Sequence, residues 1–174
     1  EYGDKAMDIV KNHPYQLCEI AGIGFKTADR IAMNMGFDQL STERVDEGIL
    51  YTLTDAEGKG HLCMEKREFI KACLKILDTP MLTEDMVANR AARLIYSGKL
   101  VSYQGYVYRS KTAYAESNLA ELLSRQIRSV KNQSYGDMDA QLDSEELRLN
   151  LKFAPEQRDA VKMALTQGLS VITG

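Results

Sequence analysis

The chain has 174 residues, of which 44% are hydrophobic and 27% charged, and it contains 3 prolines and no tryptophan. This composition is typical of a globular protein of one or two domains, and no apolar run approaches the length of a membrane span. The formal net charge of −3 argues against binding nucleic acid through overall charge. The 3 cysteines, without a visible signal peptide, predict a cytoplasmic protein with reduced thiols.

The first 40 residues predict short helices separated by strong breaking signals. Residues 3–12 have helical spacing of apolar positions, and Pro14 suits the first turn of a second, short helix that ends near Ile20. A third helix is predicted over 25–35, with Gly36 as its C-terminal cap. We therefore assign residues 1–40 to one domain.

Between the second and third helices lies Gly22-Ile23-Gly24. Two glycines let the chain turn tightly and let an outside group approach the backbone. Apolar residues before and after them would pack the two helices together. This pattern is typical of a helix-hairpin-helix.

The third helix begins directly after the hairpin, so its unpaired N–H groups would point toward the turn. Such a helix N-terminus attracts anions, and a nucleic-acid phosphate is the natural occupant. Nearby side chains would add donors. The candidate DNA-binding residues are Gly22, Ile23, Gly24, Lys26, Thr27 and Arg30. The alternative is a helix–helix turn that serves only for packing.

Residues 41–111 predict a helix, a short strand, two further helices and a β-hairpin. Ser41 or Thr42 caps the first helix, Thr83 caps the third, and Gln104-Gly105 forms the hairpin turn. This order is that of a winged helix, a module that contacts duplex DNA in some proteins and only other proteins in others. Residues 84–131 contain eight basic and four acidic side chains, a local excess compatible with phosphate contact or with a solvated helical surface.

Residues 112–150 are interpreted as a connecting helix followed by a linker. The helix is predicted over 113–131, and residues 132–141 are polar and acidic, as in an exposed loop. The predicted inner face of the helix consists of Leu119, Leu122, Leu123, Ile127 and Val130.

Residues 151–174 predict a helix with Pro155 in its first turn, followed by a buried parallel strand over 169–173. Gly174 comes directly after this strand. A strand followed by glycine is how a phosphate-binding P-loop begins, although the Gly-Lys-Ser/Thr that would complete the motif does not follow in this sequence. Because the chain does not start with Met and stops in mid-motif, we interpret it as a piece of a longer protein.

Three stretches together resemble the RecD-like ATP-dependent DNA helicases of bacteria (exodeoxyribonuclease V alpha-subunit-like). They are NHPYQLCEIAGIGFKTADRIA at 12–32, Gly60-His61-Leu62, and FAPEQRDAVKMALTQGLSVITG at 153–174. The family pattern after the first helix is Asn-Pro-Tyr, and His13 interrupts it here. The implied fold is mainly α, with a helix-hairpin-helix and a winged-helix-like module leading into the first helix and strand of a P-loop α/β motor.

The resemblance implies the N-terminal accessory region of a superfamily 1 motor that moves 5′ to 3′ on single-stranded DNA. Gln157 matches the glutamine that binds adenine in such motors, and Gly174 matches the first glycine of the P-loop. ATP and Mg²⁺ are then expected for the parent protein and not for this piece, which lacks the catalytic residues. The expected partners are single-stranded or forked DNA and the motor in the same chain.

Two other functions remain open from the residues. The chain is an interaction scaffold if the hairpin packs only on the motor or on a repair partner. The net charge and the acidic residues Glu19 and Asp29 beside the hairpin favour that alternative. A hydrolase or nuclease is disfavoured because neither histidine lies in a recognisable catalytic arrangement.

Overall fold

The computed structural model describes residues 10–20, 22–128, 135–167 and 169–173. The chain divides into two compact units, residues 1–114 and 115–174. Within the described residues, no helix is both long and apolar enough to cross a membrane. The four-part domain division made from the sequence stays a prediction.

The first unit is mainly helical with a small antiparallel sheet. Residues 10–12 are helical and lead into a 3₁₀ helix, Pro14–Glu19; the rest of the predicted 3–12 helix lies outside the described residues. The elements that follow are α1 (Phe25–Asn34), α2 (Thr42–Glu57), β1 (Met64–Glu65), α3 (Lys66–Leu77), α4 (Glu84–Tyr96), β2 (Leu100–Tyr103) and β3 (Tyr106–Arg109).

Local signals set the ends of these helices. The Ser41 hydroxyl accepts a hydrogen bond from the Arg44 N–H at 3.3 Å, and the Thr83 hydroxyl accepts one from the Met86 N–H. Both are N-caps, as predicted. Gly36 has φ +79° after the last turn of α1, a left-handed conformation that glycine adopts without strain. The predicted caps are therefore confirmed.

The three strands form one sheet in the order β1-β3-β2, with both pairs antiparallel. Gln104 and Gly105 turn the β2–β3 hairpin with φ values of +48° and +85°. Two positive φ values in a row match the right-handed twist of the flanking strands. The predicted β-hairpin is confirmed, and its Leu100 and Val107 are buried in the core.

One hydrophobic core joins the helices around the glycine hairpin to the bundle that follows. It includes Phe25 and Ala28 of α1 together with Ile49 and Leu53 of α2. Ala28 and Ile49 have no exposed surface. The hairpin is consequently fixed on a packed scaffold.

Helices α2 and α3 approach each other closely at Gly48. A Cβ atom added there would lie 2.5 Å from Cδ2 and 2.8 Å from Cγ of Leu77, whose side chain is fully buried. We expect Gly48→Ala to lower the free energy of unfolding by about 1–3 kcal/mol, because overpacking outweighs the gain in helix propensity. Urea denaturation followed by circular dichroism checks this, with Gly58→Ala as the control at an uncrowded glycine. Equal stability of Gly48→Ala and wild type would contradict the close approach.

The second unit contains most of α5 (Ser110–Arg128), followed by α6 (Met138–Leu149) and α7 (Pro155–Thr166). Arg158 of α7 makes ion pairs with three carboxylates of α6, on Asp139, Asp143 and Glu146, at 2.8–3.2 Å. These contacts hold α6 and α7 together across the loop that joins them.

Three predictions for this part of the chain are wrong. Residues 169–173 are not a strand, and Val171 and Ile172 are 79% and 61% exposed, because no neighbouring strand pairs with them among the described residues. The predicted linker is partly α6, whose N-cap is Asp137. The predicted inner face of α5 is largely exposed, with Leu119, Leu122 and Ile127 each more than half accessible; Val130 lies outside the described residues.

Candidate nucleic-acid interface

The glycine hairpin is a tight, solvent-exposed turn. The Ile23 N–H donates to the Ile20 carbonyl at 3.0 Å, and Gly22 inside this turn has φ +90°. Only glycine adopts this φ readily. A Cβ added at Gly22 or Gly24 would have no atom within 4 Å. The backbone is therefore open to an approaching group.

Helix α1 begins at the end of this turn, with Gly24 as its N-cap. The first amides bonded within the helix are those of Thr27 and Ala28, which donate to the Gly24 carbonyl at 3.0 and 3.2 Å. The amides of Phe25 and Lys26 precede them and face the N-terminal end, where the helix dipole is positive. This geometry suits an anion such as a phosphate.

The side chains predicted to bind DNA lie at and near this helix end. Lys26, Thr27 and Arg30 are exposed, and Ile23 is half-buried against the core. The Lys26 ammonium lies 5.8 Å from the ring centre of Tyr51. Within the described ranges, no carboxylate forms an ion pair with Lys26 or Arg30. Their charges are thus available to a ligand.

Asp29 on the same helix serves a structural role. Its carboxylate accepts hydrogen bonds from Nε and Nη2 of Arg44 at 2.8 and 3.0 Å, and from the Tyr15 hydroxyl at 2.6 Å. Burial and this bond to Asp29 both raise the pKa of Tyr15. With its charge balanced by Arg44, Asp29 does little to repel an anion at the hairpin. The argument for the scaffold alternative that depends on the negative charge of Asp29 is therefore weakened.

Arg44 links the hairpin to the rest of the first unit. Its side chain is 6% exposed, and besides Asp29 it donates to the carbonyls of Gln39 and Leu77 and to the hydroxyl of Thr79. Burial opposes its charge, but the hydrogen bonds and charge of Asp29 outweigh that effect and raise the pKa of Arg44. Together with the hydrophobic core, this guanidinium holds α1, and so the hairpin, on the first unit.

Sequence analysis missed this group. The signal was a charged residue on the buried face of a helix: Arg44 shares its side of α2 with Gly48 and Thr52, which are four and eight residues further on and are buried. Such a residue needs a buried partner. The identity of that partner, Asp29, is a tertiary fact that spacing does not reveal.

Of the basic residues over 84–131 that the structure describes, three form ion pairs with a carboxylate. Arg90 pairs with Asp46, Arg109 with Glu57 and Arg125 with Glu121. These pairs favour the solvated-surface interpretation for those three positions.

Of the two nucleotide-binding candidates, Gln157 and Gly174, the structure describes only Gln157. Gln157 is exposed, and its Oε1 accepts a hydrogen bond from the Ala154 N–H at 3.0 Å, a contact that caps the start of α7. Gly174 lies outside the described residues. The sequence contains no Gly-Lys-Ser/Thr, so the residues of this chain do not by themselves fit the phosphates of ATP or their Mg²⁺.

No group of three or more potential metal ligands occurs in the described part of the chain. Burial, together with the negative charges of Glu47 and Asp29, raises the pKa of Cys18 to about 11. Burial raises the pKa of Cys73 to about 12. Both thiols are therefore protonated at neutral pH and poor nucleophiles.

A short helix, an exposed glycine turn and a second helix with an open N-terminus define a helix-hairpin-helix domain. Residues 1–63 match the family model described as the ATP-dependent RecD2 DNA helicase HHH domain. The match covers the glycine hairpin and all of α1 and α2. It supports a RecD2-like helicase N-terminal region, in keeping with the resemblance seen in the sequence.

Proposed function

We propose that this chain is the N-terminal, DNA-engaging region of an ATP-dependent 5′–3′ DNA helicase of superfamily 1 that acts in DNA repair or recombination. The observation that carries the proposal is the open N-terminus of α1 behind Gly22-Ile23-Gly24, flanked by unpaired Lys26 and Arg30. The match of residues 1–63 to a RecD2 helicase HHH domain supports it, because domains of this class typically bind DNA.

The hairpin would hold one phosphate of a single-stranded or forked DNA. The Phe25 and Lys26 amides would donate to its oxygens, and the Lys26 and Arg30 side chains would neutralise adjacent phosphates. Such contacts position the protein on the strand and read no base sequence. A motor that must accept any sequence requires this kind of contact.

ATP hydrolysis belongs to the parent protein in this proposal. ATP and Mg²⁺ would be bound by a motor domain that residues 151–174 begin, with Gln157 at the adenine and Gly174 opening the phosphate loop. This chain alone is then inactive as a helicase. The parent would act in the bacterial cytoplasm, where its DNA substrate is found.

A second candidate function, packing on the motor or on a repair partner, is favoured by α5. Leu119, Leu122 and Ile127 recur on one face of that helix and are 56–61% exposed. An exposed apolar stripe of this kind marks a protein contact. The β2–β3 wing of the winged-helix-like module is assigned to the same role, since its Arg109 is paired with Glu57. The hairpin then binds DNA, while α5 and the wing bind protein.

The test is fluorescence anisotropy of the whole chain with single-stranded, forked and duplex oligonucleotides over a range of salt. Two phosphate contacts, from Lys26 and Arg30, predict that log K against log[salt] for single strands has a slope of about −1.4 or steeper. The Lys26→Gln/Arg30→Gln variant should bind more weakly and with a flatter slope. Absence of salt-sensitive binding to any of these DNAs, together with capture of the motor domains, would establish the scaffold function instead.

A further inference from the structure

A cleft of about 590 Å³ runs from the first turn of α1 across to α3 and the end of α2. Its rim carries four cations from three different segments: Lys26 and Arg30 on α1, Lys59 after α2, and Lys75 in the last turn of α3. Its floor is apolar, with the buried ring of Phe25 and the half-buried side chains of Ala72 and Ile76.

The charge of this cleft differs from that of the whole chain. Two carboxylates line it, but Asp29 is paired with Arg44 and Asp55 with Lys59, at 2.8 and 2.5 Å. The side chain of Lys59 remains 66% exposed, so its ammonium can contact a second anion. No carboxylate pairs with Lys75 within the described residues. A chain of net charge −3 thus has a local cationic groove that begins at the hairpin.

We infer that the DNA strand held at the glycine hairpin continues along this cleft, with Lys59 and Lys75 contacting successive phosphates beyond those at Lys26 and Arg30. The inference rests on the proposed function, because the hairpin supplies the first phosphate. The occupant is a single strand, since a cleft with cations on both sides of an apolar floor encloses one phosphodiester backbone. The hairpin alone would contact the strand at one phosphate. Contacts along the cleft would also fix the direction in which the strand runs across the protein.

The arrangement arises from the fold and is not visible in the sequence. Lys26 and Arg30 lie four residues apart on one side of α1, about 6 Å along the axis. Lys59 and Lys75 come from segments more than 25 residues further along, brought opposite α1 by the packing of α2 against α3. Cationic side chains that converge on one groove are the electrostatic footprint of a nucleic-acid path.

The test is anisotropy with an oligothymidylate of about 12 nucleotides, comparing the full chain with Lys59→Gln/Lys75→Gln. Four contacts predict a slope of about −2.8 for wild type, and the double variant should reduce its steepness by about 1.4. Lys75→Gln alone should weaken binding roughly fivefold at 0.1 M salt. The matched control is Lys66→Gln, which removes the same charge nine residues earlier on α3, on the opposite side of that helix.

The outcomes separate the two proposals. If Lys26→Gln/Arg30→Gln weakens binding and the Lys59/Lys75 double variant behaves like the Lys66 control, the hairpin function stands and the continued path is overturned. If the cleft variants weaken binding and the hairpin variant does not, the strand does not start at the hairpin and the inference also fails. If the hairpin variant and the cleft variants all bind DNA more weakly while Lys66→Gln binds like wild type, the continued path is supported.

Discussion

Replacing Arg44 with methionine is expected to lower the free energy of unfolding of the first unit by about 3–5 kcal/mol. The change leaves the half-buried Asp29 carboxylate without its cation, and removing one partner of a buried ion pair has a cost of this size. It also removes the donors that reach the Leu77 carbonyl and the Thr79 hydroxyl. Urea denaturation monitored by far-ultraviolet circular dichroism measures the effect.

Lys59→Met is the matched control for this experiment, because Lys59 belongs to the same unit. Lys59 pairs with Asp55 at the surface, where the two side chains are 66% and 33% exposed, so its loss should leave the free energy of unfolding close to that of wild type. Adding Asp29→Asn to Arg44→Met should recover part of the lost stability, because it removes the uncompensated charge. If Arg44→Met and Lys59→Met were equally stable, Arg44 would not help to hold the hairpin in place.

Replacing Gly24 with aspartate is expected to weaken DNA binding by at least tenfold without destabilising the protein. Gly24 has φ −90° and ψ 169°, which any residue adopts, and a side chain there meets open space. Aspartate is a better N-cap than glycine. Its carboxylate would stand where the phosphate binds, and two like charges about 4 Å apart repel by about 1 kcal/mol in water and more at a protein surface.

Gly24→Asn separates charge from size in this experiment. Asparagine caps a helix as well as aspartate does and has nearly the same shape, but it brings no charge. We expect Gly24→Asn to bind DNA more weakly than wild type, because its side chain competes for the same amides, yet clearly more tightly than Gly24→Asp. Anisotropy titrations at matched salt measure all three proteins. Equal affinities for the aspartate and asparagine variants would show that no anion binds at this helix end.

The features predicted correctly from the sequence depend on neighbouring residues. The glycine turn, the caps at Ser41 and Thr83 and the hairpin at Gln104-Gly105 each follow from the conformations that these residues favour. The helices of the first unit were found because their apolar positions recur with helical spacing. Each of these signals lies within a few residues of the feature that it specifies.

What could not be predicted depends on contacts between distant segments. The pairing of Arg44 with Asp29 and the convergence of Lys59 and Lys75 on α1 follow from how the helices pack. The incorrect prediction of a strand over 169–173 also depends on distant contacts, because a β-branched run becomes a buried strand only where neighbouring strands pair with it. Helix α6 was not predicted because the polar composition around its N-cap, Asp137, was interpreted as an exposed loop.

The most direct test of the account is a ¹⁵N–¹H correlation spectrum of the chain titrated with a short oligothymidylate at low salt. If the hairpin binds a phosphate, the amide signals of Gly24, Phe25 and Lys26 should shift most, should saturate together, and should return as salt is added. If these amide signals do not shift while signals from β2–β3 or from the second unit do, the hairpin is not the DNA-binding site.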